Sequence, residues 1–259
     1  MTVPAISVTA PVGPAGAPLV VLGPSLGTST ILWEDVVPLL ATDHRVVAWD
    51  LPGHGLSPAA TEAFSVADLA DAVAEAVAPL NSGEPFLYAG VSLGGAVGLA
   101  LALRHPSLVR RAAIVASGAQ LGERSGWEER AAQVRAQSTS SLIVGSAQRW
   151  FAPDSIARRP ELSGRLLHAL QDADDESYAL CCDALAAYDV RDALGAISMP
   201  VLAVWGEHDA VAPEAKSAEI ASRVADGRVV QIPDAAHLPP AEQPEAVAAA
   251  LRDFFQEAR

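Results

Sequence analysis

Cysteine is scarce in this 259-residue sequence, which contains only Cys181 and Cys182. Adjacent cysteines rarely bridge each other, and their spacing does not match that of metal ligands. We therefore expect neither a structural disulfide nor a cysteine-based metal site, and we interpret both residues as small apolar side chains on a helix. A chain without a disulfide framework is typical of the cytoplasm.

Basic residues are also few, since 17 lysines and arginines stand against 31 aspartates and glutamates and the net charge is −14. Such a surface repels nucleic acid and anionic lipid, so we expect neither nucleic acid nor a membrane as a partner. Long apolar runs are missing too. The longest, 89–103, is too short to cross a bilayer, and residues 1–10 lack the basic and apolar regions of a signal peptide. We therefore predict a cytoplasmic protein.

Hydrophobic residues, by contrast, make up 51% of the chain, which is enough for a sizeable core. Short apolar runs that end in turn residues alternate with segments of helical periodicity. The runs that predict strands are 18–22, 45–49, 85–89, 109–117, 200–205 and 228–232. Buried strands separated by helices indicate an α/β fold, with a mostly parallel central sheet flanked by helices on both faces.

One long stretch interrupts this alternation. Between about residues 120 and 188 the sequence has helical segments but no convincing strand. We therefore predict a helical cap, 120–188, inserted into a core domain made of residues 1–119 and 189–259. Within that core domain, helical periodicity is clearest at 66–80 and 245–257.

The motif Gly90-x-Ser92-x-Gly94 follows the third predicted strand and precedes an apolar helix that extends to His105. This is the pattern of a nucleophile elbow, in which a tight turn lifts the serine hydroxyl above the sheet. Side chains larger than hydrogen would collide at the two glycines. A glycine-rich turn that merely closes a strand is the alternative, but the position between strand and helix favours a nucleophile at Ser92.

Chain order then predicts the partners of Ser92, because an acid and then a histidine follow a nucleophile elbow along the chain. Asp209 comes after the fifth predicted strand, and we predict it as the acid, with Glu207 as the competing carboxylate. Of six histidines, only His237 lies between the last strand and the final helix, and we predict it as the general base. These three residues would catalyse acyl transfer to water through an acyl-enzyme.

An oxyanion formed at this serine needs two backbone donors. The N–H of Leu93, directly after the nucleophile, is one candidate. The loop after the first strand would supply the other, and Ser25 is the better candidate there because Pro24 has no N–H. We expect no cofactor, since the sequence lacks a phosphate-binding loop, an H-E-x-x-H zinc motif and a dinucleotide fingerprint.

Several further stretches, spread along nearly the whole chain and into the predicted cap, form a more specific pattern. They are Ser25-Leu26-Gly27-Thr28, Trp33, Trp49-Asp50-x-x-Gly53-His54-Gly55-x-Ser57, Gly122 with Trp127 and Arg130, Arg149-Trp150-Phe151, Tyr178-x-x-x-Cys182, Asp189-x-Arg191 and Ala236-His237-Leu238. In these stretches the chain resembles the 3-oxoadipate enol-lactone hydrolases of the β-ketoadipate pathway, a family of the α/β-hydrolase superfamily. The resemblance implies the α/β-hydrolase fold and hydrolysis of a small, carboxylate-bearing enol-lactone to 3-oxoadipate.

The charge of the predicted cap bears on such an anionic substrate. Residues 124–165 contain seven arginines and four acidic residues, so this segment carries +3 within an acidic chain. Because arginine binds a carboxylate bidentately, we hypothesise that Arg130 faces the substrate carboxylate, with Trp127 and Trp150 as an apolar wall. The alternative is that these arginines are solvated or pair with nearby acids.

Other functions stay open at this point. The same three residues would serve a general carboxylesterase or lactonase, or a C–C bond hydrolase, and substrate profiling separates these. A ligand-binding protein that keeps the fold without catalysis is a different class, and the presence of all three residues argues against it. The expected partner is a small-molecule substrate, and the sequence leaves open whether the chain forms a homo-oligomer.

Overall fold

The protein is described by a computed structural model of residues 3–256. Within these residues one sheet of six strands has the order β2-β1-β3-β4-β5-β6, and every neighbouring pair is parallel. The strands are β1 (Leu19–Gly23), β2 (Arg45–Ala48), β3 (Phe86–Val91), β4 (Val109–Val115), β5 (Val201–Gly206) and β6 (Gly227–Ile232). The predicted α/β fold with a parallel sheet is confirmed.

Burial follows position in the sheet. The central strands β1 and β3 are apolar and buried at every residue, as expected of strands that are covered by helices on both faces. Strand β6 lies at an edge and is partly exposed, with Val229 reaching the surface. The sheet therefore lies at the centre of the core, and the edge position of β6 accounts for its weaker apolar character.

Helices connect the strands and cover both sides of the sheet. Several begin with a local signal, such as α2, where Ser65 and Asp68 form a reciprocal capping box. The helices are α1 (Val37–Leu40), α2 (Val66–Asn81), α3 (Leu93–Arg104), α4 (Arg124–Gln137), α5 (Ile143–Trp150), α6 (Ser155–Arg158), α7 (Pro160–Asp172), α8 (Asp175–Ala186), α9 (Glu214–Arg223), α10 (Pro239–Glu242) and α11 (Pro244–Gln256). No helix of the described residues is both long and apolar enough for a membrane span.

Five of these helices, α4 to α8, lie between β4 and β5, where the sequence predicts the cap. Helix α4 packs against α8, and α5 and α6 both contact α7. The division into cap and core domain stays a prediction, and we call 120–188 the proposed cap. The outermost residues of the predicted core domain, 1–2 and 257–259, and thus the predicted helix end at Glu257, lie outside the described residues.

The order of the strands indicates where in the fold the candidate active site lies. Between β1 and β3 the order of strands reverses, and ligands of open parallel sheets bind at the carboxyl ends of strands next to such a reversal. The loops that follow β1, β3, β5 and β6 carry Ser25, Ser92, Asp209 and His237 respectively. Parallel strands thus bring these four residues to one edge of the sheet, although they are far apart in sequence.

Candidate active site

Ser92 lies at the junction of β3 and α3 in a strained backbone conformation, with φ 54° and ψ −113°. A non-glycine residue adopts such angles only at a cost, and such outliers cluster at functional sites. Two hydrogen bonds hold the backbone in place. The N–H of Ser92 donates to the carbonyl oxygen of Val115 over 2.9 Å, and the Ser117 hydroxyl donates to the Ser92 carbonyl oxygen over 2.7 Å.

The flanking glycines are required by close backbone contacts. A Cβ atom on Gly90 would lie 2.2 Å from the carbonyl oxygen of Gly94, and one on Gly94 would lie 2.6 Å from the carbonyl oxygen of Pro24. The N–H of Gly94 also donates to that Pro24 oxygen over 2.9 Å. The first turn of α3 is therefore joined to the loop after β1, next to Ser92.

Asp209 and His237 form a buried pair in which Nδ1 of the histidine lies 3.0 Å from Oδ2 of the aspartate. The other oxygen, Oδ1, accepts hydrogen bonds from the backbone N–H groups of Val211 and Ala212. Burial alone would raise the pKa of Asp209, but the nearby His237 and the two N–H groups outweigh it and hold that pKa below its usual value. The ionised carboxylate assigns the Nδ1–H tautomer to His237 and leaves Nε2 as a proton acceptor.

The competing carboxylate, Glu207, lies elsewhere. Its side chain is exposed and accepts a hydrogen bond from the backbone N–H of Asp234 over 3.1 Å. Glu207 thus fixes the start of the loop that carries His237, whereas Asp209 contacts the imidazole itself.

Two backbone N–H groups near Ser92 are the predicted oxyanion donors. Among residues 3–256, the N–H groups of Ser25 and Leu93 donate no hydrogen bond, although their neighbour Gly94 does. Leu93 is the first residue of α3, so its N–H adds to the partial positive charge of a helix N-terminus. Ser25 is buried and lines the same cavity as Ser92.

The loop that carries Ser25 is held by His54, which is fully buried. Its Nε2 accepts a hydrogen bond from the Gly27 N–H over 3.2 Å, and its Nδ1 lies 2.8 Å from the carbonyl oxygen of Pro52. Its ring stacks on that of Tyr178. Burial lowers the pKa of His54 to about 4 against the opposing effects of the Pro52 carbonyl and Asp174, so the ring is neutral and both bonds persist near pH 7.

A cavity of about 310 Å³ opens over these groups. All three residues that the sequence predicts for substrate binding line it, together with Ser25, Ser92 and His237. Asp209 and Leu93 do not line it, and Asp209 contacts the cavity residue His237 instead. The other side chains that line the cavity are Leu26, Leu121, Glu123, Trp127, Arg130, Arg149, Trp150, Tyr178, Ala210 and Val211.

The seven arginines of 124–165 divide into three groups. Four pair with carboxylates, and Arg158 donates to the hydroxyl of Ser155. Among residues 3–256, Arg130 and Arg149 form no ion pair, and both line the cavity. The paired set is Arg124 with Glu128, Arg135 with Glu176 and Asp183, Arg159 with Asp35, and Arg165 with Glu34.

Arg149 is a cavity residue to which sequence reasoning assigned no role. Burial and the nearby Arg130 lower its pKa, and burial raises the pKa of Tyr178 against the opposing charges of the two arginines. These side chains form an electropositive end of the cavity. Its sequence signal is the stretch Arg149-Trp150-Phe151, which carries part of the family resemblance, although adjacent residues on a helix do not usually face the same side.

Comparisons with known proteins agree with this architecture. The sequence profile described as the alpha/beta hydrolase fold matches residues 18–244. The 3-oxoadipate enol-lactonase 2 of Acinetobacter baylyi is 31% identical over 234 residues, which cover 90% of this chain and 87% of that protein. A pimeloyl-(acyl-carrier protein) methyl ester esterase of Neisseria meningitidis is 32% identical over 237 residues, which cover 89% of this chain and 74% of that protein.

Solved structures are similar over almost the whole chain. The enol-lactonase from Burkholderia xenovorans LB400 superposes with a TM-score of 0.92 at 30% identity, covering 97% of this chain and 96% of that one. A hydrolase from Pseudomonas aeruginosa PA01 gives a TM-score of 0.90, also at 30% identity, with 97% and 94% covered. The similarity includes the helices between β4 and β5, because such coverage leaves no room for a segment of that size to be unmatched.

Proposed function

Because this chain belongs to the α/β-hydrolase fold family and is a hydrolase, we propose that it is a serine hydrolase. Ser92 is the nucleophile, His237 the general base and Asp209 the acid that orients the base. One observation carries this proposal. The strained elbow at Ser92 and the Asp209-bound His237 line the same cavity.

The chemistry follows from the roles of these groups. Nε2 of His237 takes the proton of the Ser92 hydroxyl as its oxygen attacks the carbonyl carbon of the substrate. The N–H groups of Ser25 and Leu93 bind the oxyanion, and loss of one such donor typically costs about 10²–10³ in rate. Ser92 and His237 share no hydrogen bond within the described residues, and such contacts often tighten only around substrate.

Collapse of the tetrahedral intermediate breaks the C–O bond of the ester, and His237 returns its proton to the leaving oxygen. In an enol-lactone this oxygen is an enol, which remains part of the acylated molecule and tautomerises to a ketone. Water, activated by His237, then attacks the acyl-enzyme and releases the acid.

The preferred substrate, in this proposal, is a small lactone or ester that bears a free carboxylate, most specifically 3-oxoadipate enol-lactone. The two unpaired arginines of the cavity, Arg130 and Arg149, support an anionic substrate, because an unpaired half-buried guanidinium gains most from a carboxylate partner. A cavity of about 310 Å³ suits a small molecule. The relative in Acinetobacter baylyi is named a 3-oxoadipate enol-lactonase, which supports this substrate, and the protein from Burkholderia xenovorans is named an enol-lactonase, which supports the same class.

A second candidate is the hydrolysis of an open-chain carboxylic ester. The similarity to a methyl ester esterase of Neisseria meningitidis favours it, at an identity as high as that to the lactonase. Both candidates use the same nucleophile and differ only in what enters the cavity. We also propose that the protein acts in the cytoplasm, which its two buried free cysteines support.

Product analysis tests these proposals. The protein is incubated with 3-oxoadipate enol-lactone, with neutral aryl and methyl esters and with a C–C hydrolase substrate, and the products are identified. We expect kcat/KM to be highest for the lactone and the variant Ser92→Ala to be inactive, while Ser222→Ala, an exposed serine on α9, matches the wild type. Preference for a neutral ester would overturn the lactone proposal. Full turnover by Ser92→Ala would overturn the nucleophile, and binding without turnover would indicate a receptor.

A further inference from the structure

The carboxylate of Glu242 lies buried between the proposed cap and the loop that carries His237. Its Oε1 accepts hydrogen bonds from the backbone N–H of Ala152 over 2.6 Å and from the hydroxyl of Ser155 over 2.8 Å. Its Oε2 accepts one from the backbone N–H of Ala236 over 2.8 Å. Ala152 and Ser155 belong to the proposed cap, and Ala236 directly precedes His237, so a single carboxylate joins the two segments.

A second contact joins the same two segments beside Glu242. The carbonyl oxygen of Trp150, at the end of α5, accepts hydrogen bonds from the backbone N–H groups of His237 and Leu238, each over 3.2 Å. The backbone on both sides of the imidazole is therefore held from the proposed cap. On the opposite side, the ring itself is held by Asp209.

Glu242 accepts hydrogen bonds from two backbone N–H groups and one hydroxyl and does not pair with a cation among residues 3–256. The residue is only 6% exposed. Burial raises its pKa, and the hydrogen bonds that it accepts oppose that rise. A buried carboxyl group is costly unless such bonds satisfy it, and here the donors belong to the proposed cap and to the residue before His237.

We propose that Glu242 is a positioning residue for His237, acting through the backbone of residues 236–238 and fastening that loop to the proposed cap. The proposal rests on the proposed function in one respect, namely that His237 is the base. The imidazole must present Nδ1 to Asp209 and Nε2 to Ser92 at once, and a misplacement of about 1 Å can cost about 10²-fold in rate.

The substitution Glu242→Gln tests this role with little change in size. The amide oxygen can serve one side of the bridge, but the NH2 group then faces N–H or O–H donors on the other side. We expect kcat to fall by about 10- to 100-fold while KM stays within about 3-fold. The matched control is Glu245→Gln, an exposed glutamate three residues along the chain, which should match the wild type.

Ser155→Ala provides a second variant. Ser155 lies outside the loop that carries His237 and does not line the cavity. The substitution removes one of the two donors that hold Oε1 of Glu242, so we expect a smaller fall in kcat with the same constancy of KM. This variant also tests the positioning role of Glu242 if Glu242→Gln does not fold. Wild-type kcat in both variants would overturn the proposal, as would wild-type kcat in Ser155→Ala alone when the other variant is unfolded.

A spectroscopic readout separates positioning from a general loss of stability. The proton on Nδ1 of His237 should give a downfield proton resonance that is absent from His237→Ala. We expect it to shift or broaden in Glu242→Gln and to stay unchanged in Glu245→Gln. An unchanged resonance in folded Glu242→Gln would overturn the positioning role. If the wild type hydrolyses no ester at all, the proposed function fails, and this resonance still tests Glu242.

Discussion

The guanidinium of Arg130 lies over the indole ring of Trp127, 5.1 Å from the ring centroid. The indole N–H donates to the carbonyl oxygen of Leu121, so the ring that carries this cation is itself fixed. The ring face attracts the cation without neutralising its charge, and among residues 3–256 Arg130 forms no ion pair. Arg130 can therefore bind an anion in the cavity without first giving up a carboxylate of the protein.

Replacing the two cavity arginines should affect anionic substrates only. We expect Arg130→Gln and Arg149→Gln each to raise KM for a carboxylate-bearing lactone by about 10- to 100-fold, because a hydrogen bond to a charged group contributes about 1.5–3 kcal/mol. KM for a neutral ester should change little. Steady-state kinetics with both substrates measures this, with Arg124→Gln, an exposed arginine on α4, as control. Equal losses for both substrates would mean that the arginines shape the cavity instead.

Replacing the acid by its amide should reverse the tautomer of the base. In Asp209→Asn the N–H groups of Val211 and Ala212 keep the amide oxygen at the Oδ1 position, so the NH2 group faces Nδ1 of His237. The proton then sits on Nε2, which cannot accept one from Ser92. We expect kcat to fall by about 10⁴-fold with little change in KM.

Glu207→Gln is the matched control for that substitution, because it alters a carboxylate two residues away that does not contact the imidazole. Its kcat should stay close to the wild-type value. If Glu207→Gln loses activity and Asp209→Asn does not, the assignment of the acid is wrong.

His54 should make stability depend on pH. The ring has a pKa of about 4 in the folded protein and about 6.5 in the unfolded chain, so the unfolded state binds the proton first. Its contribution to the free energy of unfolding is therefore complete above pH 6.5 and is lost as the pH falls towards 4. Between about pH 7.5 and pH 5 we expect the wild type to lose about 2 kcal/mol from this residue.

Urea unfolding of the wild type and of His54→Gln at both pH values measures that loss. The comparison isolates His54, since Asp50 and Glu242, whose pKa values are raised by burial, titrate in both proteins. His168→Gln, which alters an exposed histidine on α7, should behave as the wild type. A pH-dependent difference of the same size in His168→Gln would contradict this account.

Periodicity predicted the architecture because the strands and helices of the core are determined by short stretches of the sequence. All six strands begin and end within two residues of the apolar runs that predict them, and α2 follows its predicted range 66–80 almost to the residue. The role of Ser92 is predicted from the Gly90-x-Ser92-x-Gly94 motif and those of Asp209 and His237 from chain order. All three roles stay predictions, although the structure brings the three residues to one edge of the sheet.

The substrate end of the cavity is different, because it depends on packing between distant segments. Which of seven arginines lack partners depends on Glu34 and Asp35 lying beside α7, more than 120 residues away in sequence. Glu242 gives no local signal either. In a Pro-Pro-Ala-Glu turn, a glutamate is expected to be solvated, and only the approach of Ala152 and Ser155 buries it.

The hydrogen bonds that the Trp150 carbonyl oxygen and the Glu242 carboxylate accept restrict how such a chain could be re-engineered. Helices α4 to α8 enter and leave the core between two adjacent strands, so exchanging them for the helices of a relative looks like a simple route to a new substrate. Any graft, however, would have to supply a carbonyl oxygen for His237 and donors for Glu242 at the right places. Transplanted segments are therefore best joined outside 150–155, leaving that short stretch native.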